Sequence, residues 1–176
     1  MTNIIEACKK GDRLAQKALY QQYKNTLFVM CLRYASNRED AEDILQEGFV
    51  KIFRDLYQYK YEGSLEGWMR RVVLNVALQH IKKKKQLELW DDFSHWENKW
   101  NDRPEESFDE DMIRNVLHLM QSMPPGFRTV LNLFILEEWT HEQIAKELGI
   151  SVGTSKSQLN RAKKHLKELV DKSLIQ

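Results

Sequence analysis

The chain has 176 residues, enough for one ordinary domain or two small ones, and its 27 Lys and Arg nearly balance its 26 Asp and Glu. Its two cysteines belong to no CxxC pair, which excludes a disulfide framework and a zinc site and predicts a reducing compartment. Because no apolar run approaches the ~20 residues of a membrane span and no secretory leader is recognisable, we expect a cytoplasmic protein without membrane insertion.

Charge is distributed unevenly along this balanced chain. Residues 60–89 contain seven basic and three acidic side chains, whereas residues 91–112 contain nine acidic and two basic ones. The sequence becomes basic again after Thr140. Such asymmetry predicts basic binding surfaces that are joined by an acidic linker.

Helical spacing of apolar residues runs through almost the whole chain, so the predicted fold class is all-α, with two small helical domains joined by the acidic linker. Residues 3–34 predict two helices with a break near Gly11. Ser36 and Glu39 form a capping-box pattern that predicts the start of the next helix. The apolar residues of that helix are Ile44, Leu45, Gly48, Phe49, Ile52 and Phe53.

A tyrosine-rich loop is predicted at residues 57–63, and Ser64 is placed to cap the helix that follows. The apolar face of that helix consists of Leu65, Trp68, Met69, Val72, Val73 and Val76. Residues 91–109 show no sustained periodicity, which predicts a linker. Helical spacing returns at residues 112–123, and Pro125 suits the first turn of another helix. Its apolar stripe consists of Phe127, Val130, Leu131 and Phe134.

Residues 140–166 predict two short helices joined by a tight turn. Ile144, Ala145 and Leu148 face inward on the first helix, and Gly149 can take the positive φ that ends it. Ser151 is placed to cap the second helix. The buried stripe of that second helix consists of Val152, Ser155, Leu159, Ala162, Leu166 and Leu169.

The outward face of the second helix is basic and hydroxyl-rich. It carries Thr154, Lys156, Ser157, Arg161 and Lys164. Side chains of these types contact phosphates and base edges when such a helix lies in the major groove, so we predict DNA binding. A plain helical hairpin with a solvated charged face would produce the same periodicity, but the turn, the cap and the one-sided charge favour a helix-turn-helix.

The segment ISVGTSKSQLNRAKK, residues 150–164, resembles region 4 of bacterial sigma factors of the extracytoplasmic-function (ECF) group, and MPPGFR just upstream resembles the entry into that region. The resemblance implies that the outward face contacts the promoter −35 element. Two residues depart from the family pattern. Ser155 stands where an apolar residue is usual, and its hydroxyl needs a partner, such as the carbonyl one turn back. Gln158 stands where arginine is common, so we expect a weaker phosphate contact there.

The segment DAEDILQEGFVKIF, residues 40–53, resembles sigma region 2.2, which docks on a coiled coil of the polymerase β′ subunit. With the apolar residues in the core, Asp43, Gln46 and Glu47 remain as the polar outer face that the resemblance assigns to core polymerase. An ordinary solvated acidic face is the alternative interpretation of the residues by themselves.

The segment YKYEGSLEGWMRRVVLNVA, residues 59–77, resembles the −10 recognition loop of the family and the helix after it. There the non-template strand is pulled out and one base is captured. Bases stack on rings and backbone approaches closely at glycine, so this loop suits the task. The resemblance implies −10 contacts at Tyr61, Gly63, Ser64, Arg71, Asn75 and Lys82. Trp68 is interpreted as a core anchor.

Taken over nearly the whole chain, the resemblance identifies a sigma factor of the sigma-70 family, ECF group. It implies region 2 at residues 1–90, an acidic linker at residues 91–111 and region 4 at residues 112–176. The implied partners are core RNA polymerase (its β′ and β subunits), promoter DNA and an anti-sigma factor. Neither a cofactor nor a metal is expected, and the absence of phosphate-binding loops and of a complete HExxH motif gives no case for an enzyme.

Two other functions remain open at this point. One is a helix-turn-helix repressor or activator that binds operators by itself, usually as a dimer. The other is an interaction protein whose helices bind proteins and no DNA. The polymerase-facing segment from Asp40 to Phe53 argues against both.

Overall fold

The computed structural model describes residues 2–87 and 117–173, with side chains from 4–83 and 117–168. The helices are α1 (Thr2–Lys9), α2 (Arg13–Tyr34), α3 (Arg38–Asp55), α4 (Leu65–Leu87), α5 (Pro125–Ile135), α6 (His141–Leu148) and α7 (Val152–Ser173). A 3-10 turn, Leu56–Gln58, follows α3, and residues 117–121 are helical. Every regular element of these two described ranges is a helix, which confirms the all-α prediction. The predicted linker lies outside the described residues.

The chain forms two compact units, Met1–His80 and Ile81–Gln176, and the boundary between them falls inside α4. In the first unit, α1 and α2 are separated where the sequence predicts a break. Gly11 has a φ of 82°, and the Asp12 carboxylate accepts hydrogen bonds from the amides of Leu14 and Ala15 at 2.8 and 3.0 Å. This side chain satisfies amides that have no partner inside the helix.

The start of α3 differs from the prediction by one residue. Asn37, and not Ser36, is the N-cap: its backbone is extended and its side-chain oxygen accepts a hydrogen bond from the Asp40 amide at 2.7 Å. Asparagine caps helices as well as serine does, and the extended backbone at position 37 decides which residue fills this role.

The core of the first unit lies between α2, α3 and α4. Ile44 and Ile52 of α3 and Met69 and Val73 of α4 are almost completely buried. At Gly48, a Cβ atom would lie only 2.9 Å from Cγ2 of Val73. The absence of a side chain at Gly48 therefore allows α3 and α4 to approach closely.

In the second unit, Pro125 occupies the first turn of α5 as predicted. Helix α5 is buried on more than the predicted stripe, because Arg128, Thr129 and Asn132 are also almost completely inaccessible. Arg128 Nη1 donates to Gln121 Oε1 at 2.9 Å, which pairs the buried guanidinium with a buried amide. Helices α6 and α7 pack on α5 and on each other.

Candidate nucleic-acid interface

Helices α6 and α7 form the predicted helix-turn-helix. Thr140 begins α6 with a capping box: its hydroxyl accepts from the Gln143 amide at 3.3 Å, and Gln143 Oε1 accepts from the Thr140 amide at 2.8 Å. Gly149, at φ 64°, ends α6 in the left-handed conformation. Ser151 Oγ then accepts from the Thr154 amide at 2.9 Å and caps α7. The conformation of Gly149 and the Ser151 hydrogen bond confirm the predicted turn and the predicted cap of α7.

A polar contact between the two helices lies inside the motif. Ser155 is buried, as predicted, but the expected partner of its hydroxyl is wrong. Oγ of Ser155 lies 2.9 Å from Nδ1 of His141, the first residue of α6. The His141 ring also stacks on Phe134 of α5 with centroids 4.6 Å apart. The hydroxyl therefore joins α7 to α6, and the imidazole joins α6 to α5.

Four of the five residues predicted to contact −35 DNA are solvent-exposed on α7: Lys156, Ser157, Arg161 and Lys164. The fifth, Thr154, is half-buried, and its hydroxyl lies 2.8 Å from Ser151 Oγ in the helix cap. Lys164 Nζ lies 4.0 Å from Glu168 Oε1. Because this ion pair is exposed to solvent, it contributes little to the stability of the protein. The four exposed side chains therefore lie on one outward arc of α7, which we call the α7 arc. Thr154 contributes to the turn before the helix instead.

The expectation for Gln158 is wrong. Its side chain is only 7% exposed and belongs to the inward side of α7. Position 158 lies three residues after Ser155 and four before Ala162, so it falls at the edge of the buried stripe. Its Oε1 finds no hydrogen-bond partner among the described residues. Gln158 therefore lies with the buried face of α7, away from the surface that a phosphate would contact.

The outward arc includes a residue that the sequence prediction missed. Asn160 is exposed and lies four residues from both Lys156 and Lys164, which places it between them on the helix surface. Its amide can both donate and accept hydrogen bonds, as a group that reads base edges must. The spacing from the two lysines is present in the sequence and could have identified it.

The predicted −10 loop lies between the 3-10 turn and α4, and aromatic rings hold its beginning. Tyr59 is buried, and its ring lies 5.0 Å from that of Tyr61 and 5.8 Å from that of Trp68. Its hydroxyl donates to the Gly63 carbonyl at 2.9 Å. Tyr59 therefore supports the loop from inside. Trp68 contacts it from α4 but is only half-buried, so it lies at the edge of the core and not within it as predicted.

The rest of the loop is exposed. Tyr61 and Gly63 both have positive φ, 62° and 83°. Ser64 Oγ accepts from the Gly67 amide at 3.0 Å, which confirms the predicted cap of α4. The Tyr61 hydroxyl donates to Glu6, a residue of α1. This hydrogen bond lowers the pKa of the Glu6 carboxyl and raises the pKa of the Tyr61 phenol.

On α4, Arg71 and Asn75 are both exposed and one turn apart, so they form a polar patch next to the loop in the chain. Lys82, the remaining predicted −10 residue, lies further along α4, in the second unit, with 41% of its side chain exposed. Its Nζ donates to Glu147 Oε1 of α6 at 2.6 Å, so its charge is paired within that unit. The structure thus brings Arg71 and Asn75 together on the helix that Ser64 begins.

The three residues predicted to contact core polymerase are exposed on α3. Asp43 and Gln46 line an open groove between α2 and α3, together with apolar side chains such as Phe28 and Phe49. Glu47 faces α4 instead, where its Oε2 lies 3.1 Å from Nε2 of His80. Two of the three predicted residues therefore share one surface, and the third is paired beside it.

None of the helices in the described ranges 2–87 and 117–173 could cross a membrane. Within the same residues, no group of three or more His, Cys, Asp or Glu side chains is placed to hold a metal ion. The candidate binding surfaces among the described residues are the α7 arc, the loop with its neighbouring patch on α4, and the α3 face.

Comparison with known families assigns both units. Residues 19–86 match the profile of sigma-70 region 2, and residues 113–166 match that of sigma-70 region 4. The ECF RNA polymerase sigma factor SigE of Mycolicibacterium smegmatis is 27% identical over 169 residues, which cover 92% of this chain and 65% of SigE. The RNA polymerase sigma-H factor of Pseudomonas aeruginosa is 26% identical over 181 residues, which cover 97% of this chain and 92% of that factor.

A solved structure gives the same fold. The sigma factor RpoE of Bartonella quintana, in complex with the anti-sigma factor NepR, aligns with a TM-score of 0.54 at 19% identity and covers 88% of this chain. The alignment covers 96% of RpoE. Because the two sigma-70 regions together span more than half of the residues and ECF factors match nearly all of them, this chain belongs to the sigma-70 family of RNA polymerase sigma factors, in its ECF group.

Proposed function

We propose that this chain is a promoter-specificity subunit of RNA polymerase. It binds core polymerase, recognises duplex −35 DNA with α7, and captures the non-template strand of the −10 element with the loop and α4. The observation that carries the proposal is the outward arc of α7, where basic, hydroxyl and amide side chains follow a capped helix-turn-helix.

At −35, the arc combines two kinds of contact. Lys156, Arg161 and Lys164 supply positive charge for the phosphates, which gives affinity without sequence preference. Ser157 and Asn160 can form hydrogen bonds with base edges, which gives specificity. Thr154, whose hydroxyl belongs to the cap, acts mainly by fixing the turn.

At −10, a base must leave its stack, which costs on the order of a few kcal/mol. Arg71 can offset part of this cost by pairing with phosphate, and Asn75 can form hydrogen bonds with an extruded base. The exposed backbone of Gly63 allows the strand to come close. Lys82, which is paired with Glu147, is the remaining candidate for a phosphate contact further along α4. Binding of the unpaired strand in this way favours the open complex over the closed duplex.

The remaining partners follow from the family. Asp43 and Gln46, in the groove between α2 and α3, are our candidates for the contact with the β′ subunit, and Glu47 lies at its margin. The second unit would contact the β subunit. An anti-sigma factor would bind the chain in the cytoplasm while the chain is not bound to polymerase. The chain itself is not an enzyme, since nucleotide addition belongs to the polymerase, and it needs no cofactor.

The decisive experiment is transcription in vitro with purified core polymerase and a library of promoter fragments. We expect the chain to bind core during gel filtration and to produce transcripts from a subset of templates that share a −35 and a −10 sequence. Core polymerase alone is the control. If core cannot bind the chain and initiation does not depend on it, the proposal is wrong, and tight operator binding by the chain alone would favour a repressor or activator.

A further inference from the structure

A small cluster of side chains joins helix α1 to the −10 loop. No local sequence pattern predicts this cluster. Tyr61 of the loop donates its hydroxyl to Glu6 Oε1. Lys9 Nζ donates to the same carboxylate at 3.1 Å, and it lies 4.6 Å from the centre of the Tyr61 ring. Lys9 also donates to the carbonyl of Tyr59 at 3.5 Å. We call Glu6, Lys9 and Tyr61 the latch.

The conformation of the loop explains why it needs support from outside. Tyr61 has a φ of 62°, in the left-handed region where the Cβ of an L-residue crowds the backbone. Non-glycine residues remain in that region only when their surroundings hold them there. The latch supplies a hydrogen bond and a cation over the ring at this same residue.

Lys9 is also poorly placed for a direct contact with DNA. Only 18% of its side chain is exposed, and its ammonium group is occupied by the Glu6 carboxylate, the Tyr61 ring and the Tyr59 carbonyl. Its neighbour Lys10 is exposed. The side chain of Lys9 therefore acts on the loop and not on phosphate.

We propose that Glu6 and Lys9 are positioning residues for promoter melting, because they hold Tyr61 and the backbone of the −10 loop in the conformation that receives the non-template strand. The proposal rests on the proposed function. The latch reduces the conformational freedom that the loop would otherwise lose when it binds, so the wild-type loop binds the strand more tightly than an unlatched one.

The direction in which Glu6→Ala changes DNA binding distinguishes this proposal from a simple electrostatic effect. Glu6 is acidic, so its removal would strengthen binding to a polyanion if only net charge mattered. The latch predicts the opposite result, because Glu6→Ala frees Tyr61 and leaves the loop to explore other conformations.

The test uses reconstituted holoenzyme and DNA from a promoter that the wild-type holoenzyme opens. Binding is measured for a fluorescent single strand with the −10 non-template sequence and for a −35 duplex. Glu6→Ala and Lys9→Met should each weaken binding of the single strand about fivefold, as expected for one cation–π contact or hydrogen bond. Binding of the −35 duplex and of core polymerase should stay within about twofold of wild type.

Matched variants provide the controls. Lys9→Arg keeps a cation over the ring and should restore most of the affinity, whereas Lys10→Met removes the same charge one residue away and should change little. Tyr61→Phe removes only an exposed hydroxyl, so it tests the latch even if Glu6→Ala fails to fold. The double variant with Glu6→Ala and Tyr61→Phe should be no weaker than Glu6→Ala alone.

The outcomes are distinguishable. If the wild-type holoenzyme neither binds the strand nor opens promoters, the proposed function is wrong. If wild type does both, and Glu6→Ala and Tyr61→Phe bind the strand as well as or better than wild type, the latch has no role in positioning and this inference is overturned.

Discussion

Nδ1 of His141 lies 2.9 Å from Oγ of Ser155, so a hydrogen bond joins the first residue of α6 to the buried face of α7. The hydroxyl is completely buried, and the serine is present where an apolar residue would complete the stripe. Burial of a hydroxyl without a hydrogen-bond partner destabilises the folded protein. The hydrogen bond with His141 offsets this cost, so serine is tolerated at position 155. The same imidazole stacks on Phe134, which extends the contact to α5.

Ser155→Ala should destabilise the helix-turn-helix unit. The substitution removes the hydroxyl and leaves Nδ1 of a half-buried His141 without this partner, at a cost of about 1 kcal/mol in the free energy of unfolding. Urea denaturation followed by circular dichroism measures the change. Ser157→Ala is the matched control, since that hydroxyl is exposed, and it should shift the free energy by less than ~0.5 kcal/mol. Equal losses for both variants would show that the inter-helix contact contributes nothing.

Gly48→Ala should destabilise the first unit by about 1–3 kcal/mol, the usual cost of overpacking a core. A Cβ at position 48 would lie 2.9 Å from Cγ2 of Val73, and both helices would have to shift. Because Val73→Ala removes the obstructing methyl group, the double variant should lose less than the sum of the two single variants in urea denaturation.

The exposed helical glycine Gly153 is the control for the Gly48 prediction. Its added Cβ would meet only Ser151 Oγ, at 3.6 Å. Gly153→Ala should therefore stabilise α7, by roughly 0.5–1 kcal/mol, through its higher helix propensity. Strict additivity of Gly48→Ala and Val73→Ala would contradict the close approach of α3 and α4.

Cys31 should be inert in the folded protein. Burial raises the pKa of its thiol to about 12, and none of its surface is accessible. Since the thiolate is the nucleophile and forms only as the pH approaches that value, iodoacetamide at pH 8 should leave Cys31 unmodified. Mass spectrometry of native and urea-unfolded protein checks this. The exposed variant Ser157→Cys should react quickly, and an equally fast reaction of Cys31 would contradict its burial.

Local sequence patterns predicted most of the helix-turn-helix. Gly149 and Ser151, which the sequence predicted, each act over three or four residues, a distance at which caps and turns can be recognised from residue type. The capping box of Thr140 acts over the same distance, although it was not predicted from the sequence. The α3 start shows the limit of this reasoning, because Asn37 and Ser36 are both good caps and only the backbone conformation distinguishes them. Boundaries are therefore less certain than the existence of a helix.

Contacts between distant residues could not be predicted in this way. Periodicity gave no reason to bury Arg128, whose partner Gln121 lies on the preceding helical segment. Gln158 faces inward although its residue type favours solvent. The Tyr61 hydroxyl meets Glu6 across 55 positions of the sequence. Each of these depends on how helices pack, and a single sequence contains no direct record of that.

Arg161→Ala should weaken −35 recognition by about tenfold, the effect of one phosphate or base contact of ~1–3 kcal/mol. Arg161 is exposed on the outward arc of α7, so its loss removes charge without disturbing the core. Binding of the holoenzyme to a −35 duplex at several salt concentrations is the measurement, and a lost phosphate contact should also reduce the salt dependence. Lys167→Ala is the control because this lysine is exposed further along the same helix, and it should weaken binding less.

Asn75→Ala should slow promoter opening and leave −35 binding nearly unchanged. The side chain is exposed on α4, one turn after Arg71 in the patch that follows the −10 loop. If its amide binds the extruded base, the loss is confined to the step that creates the unpaired strand, at roughly tenfold in the opening rate. Permanganate footprinting of the −10 region over time measures this rate. Gln79→Ala removes an exposed amide one turn further along α4 and should open promoters normally. Since Arg161→Ala should show the reverse pattern, equal losses at both steps for both variants would contradict a division of labour between α7 and α4.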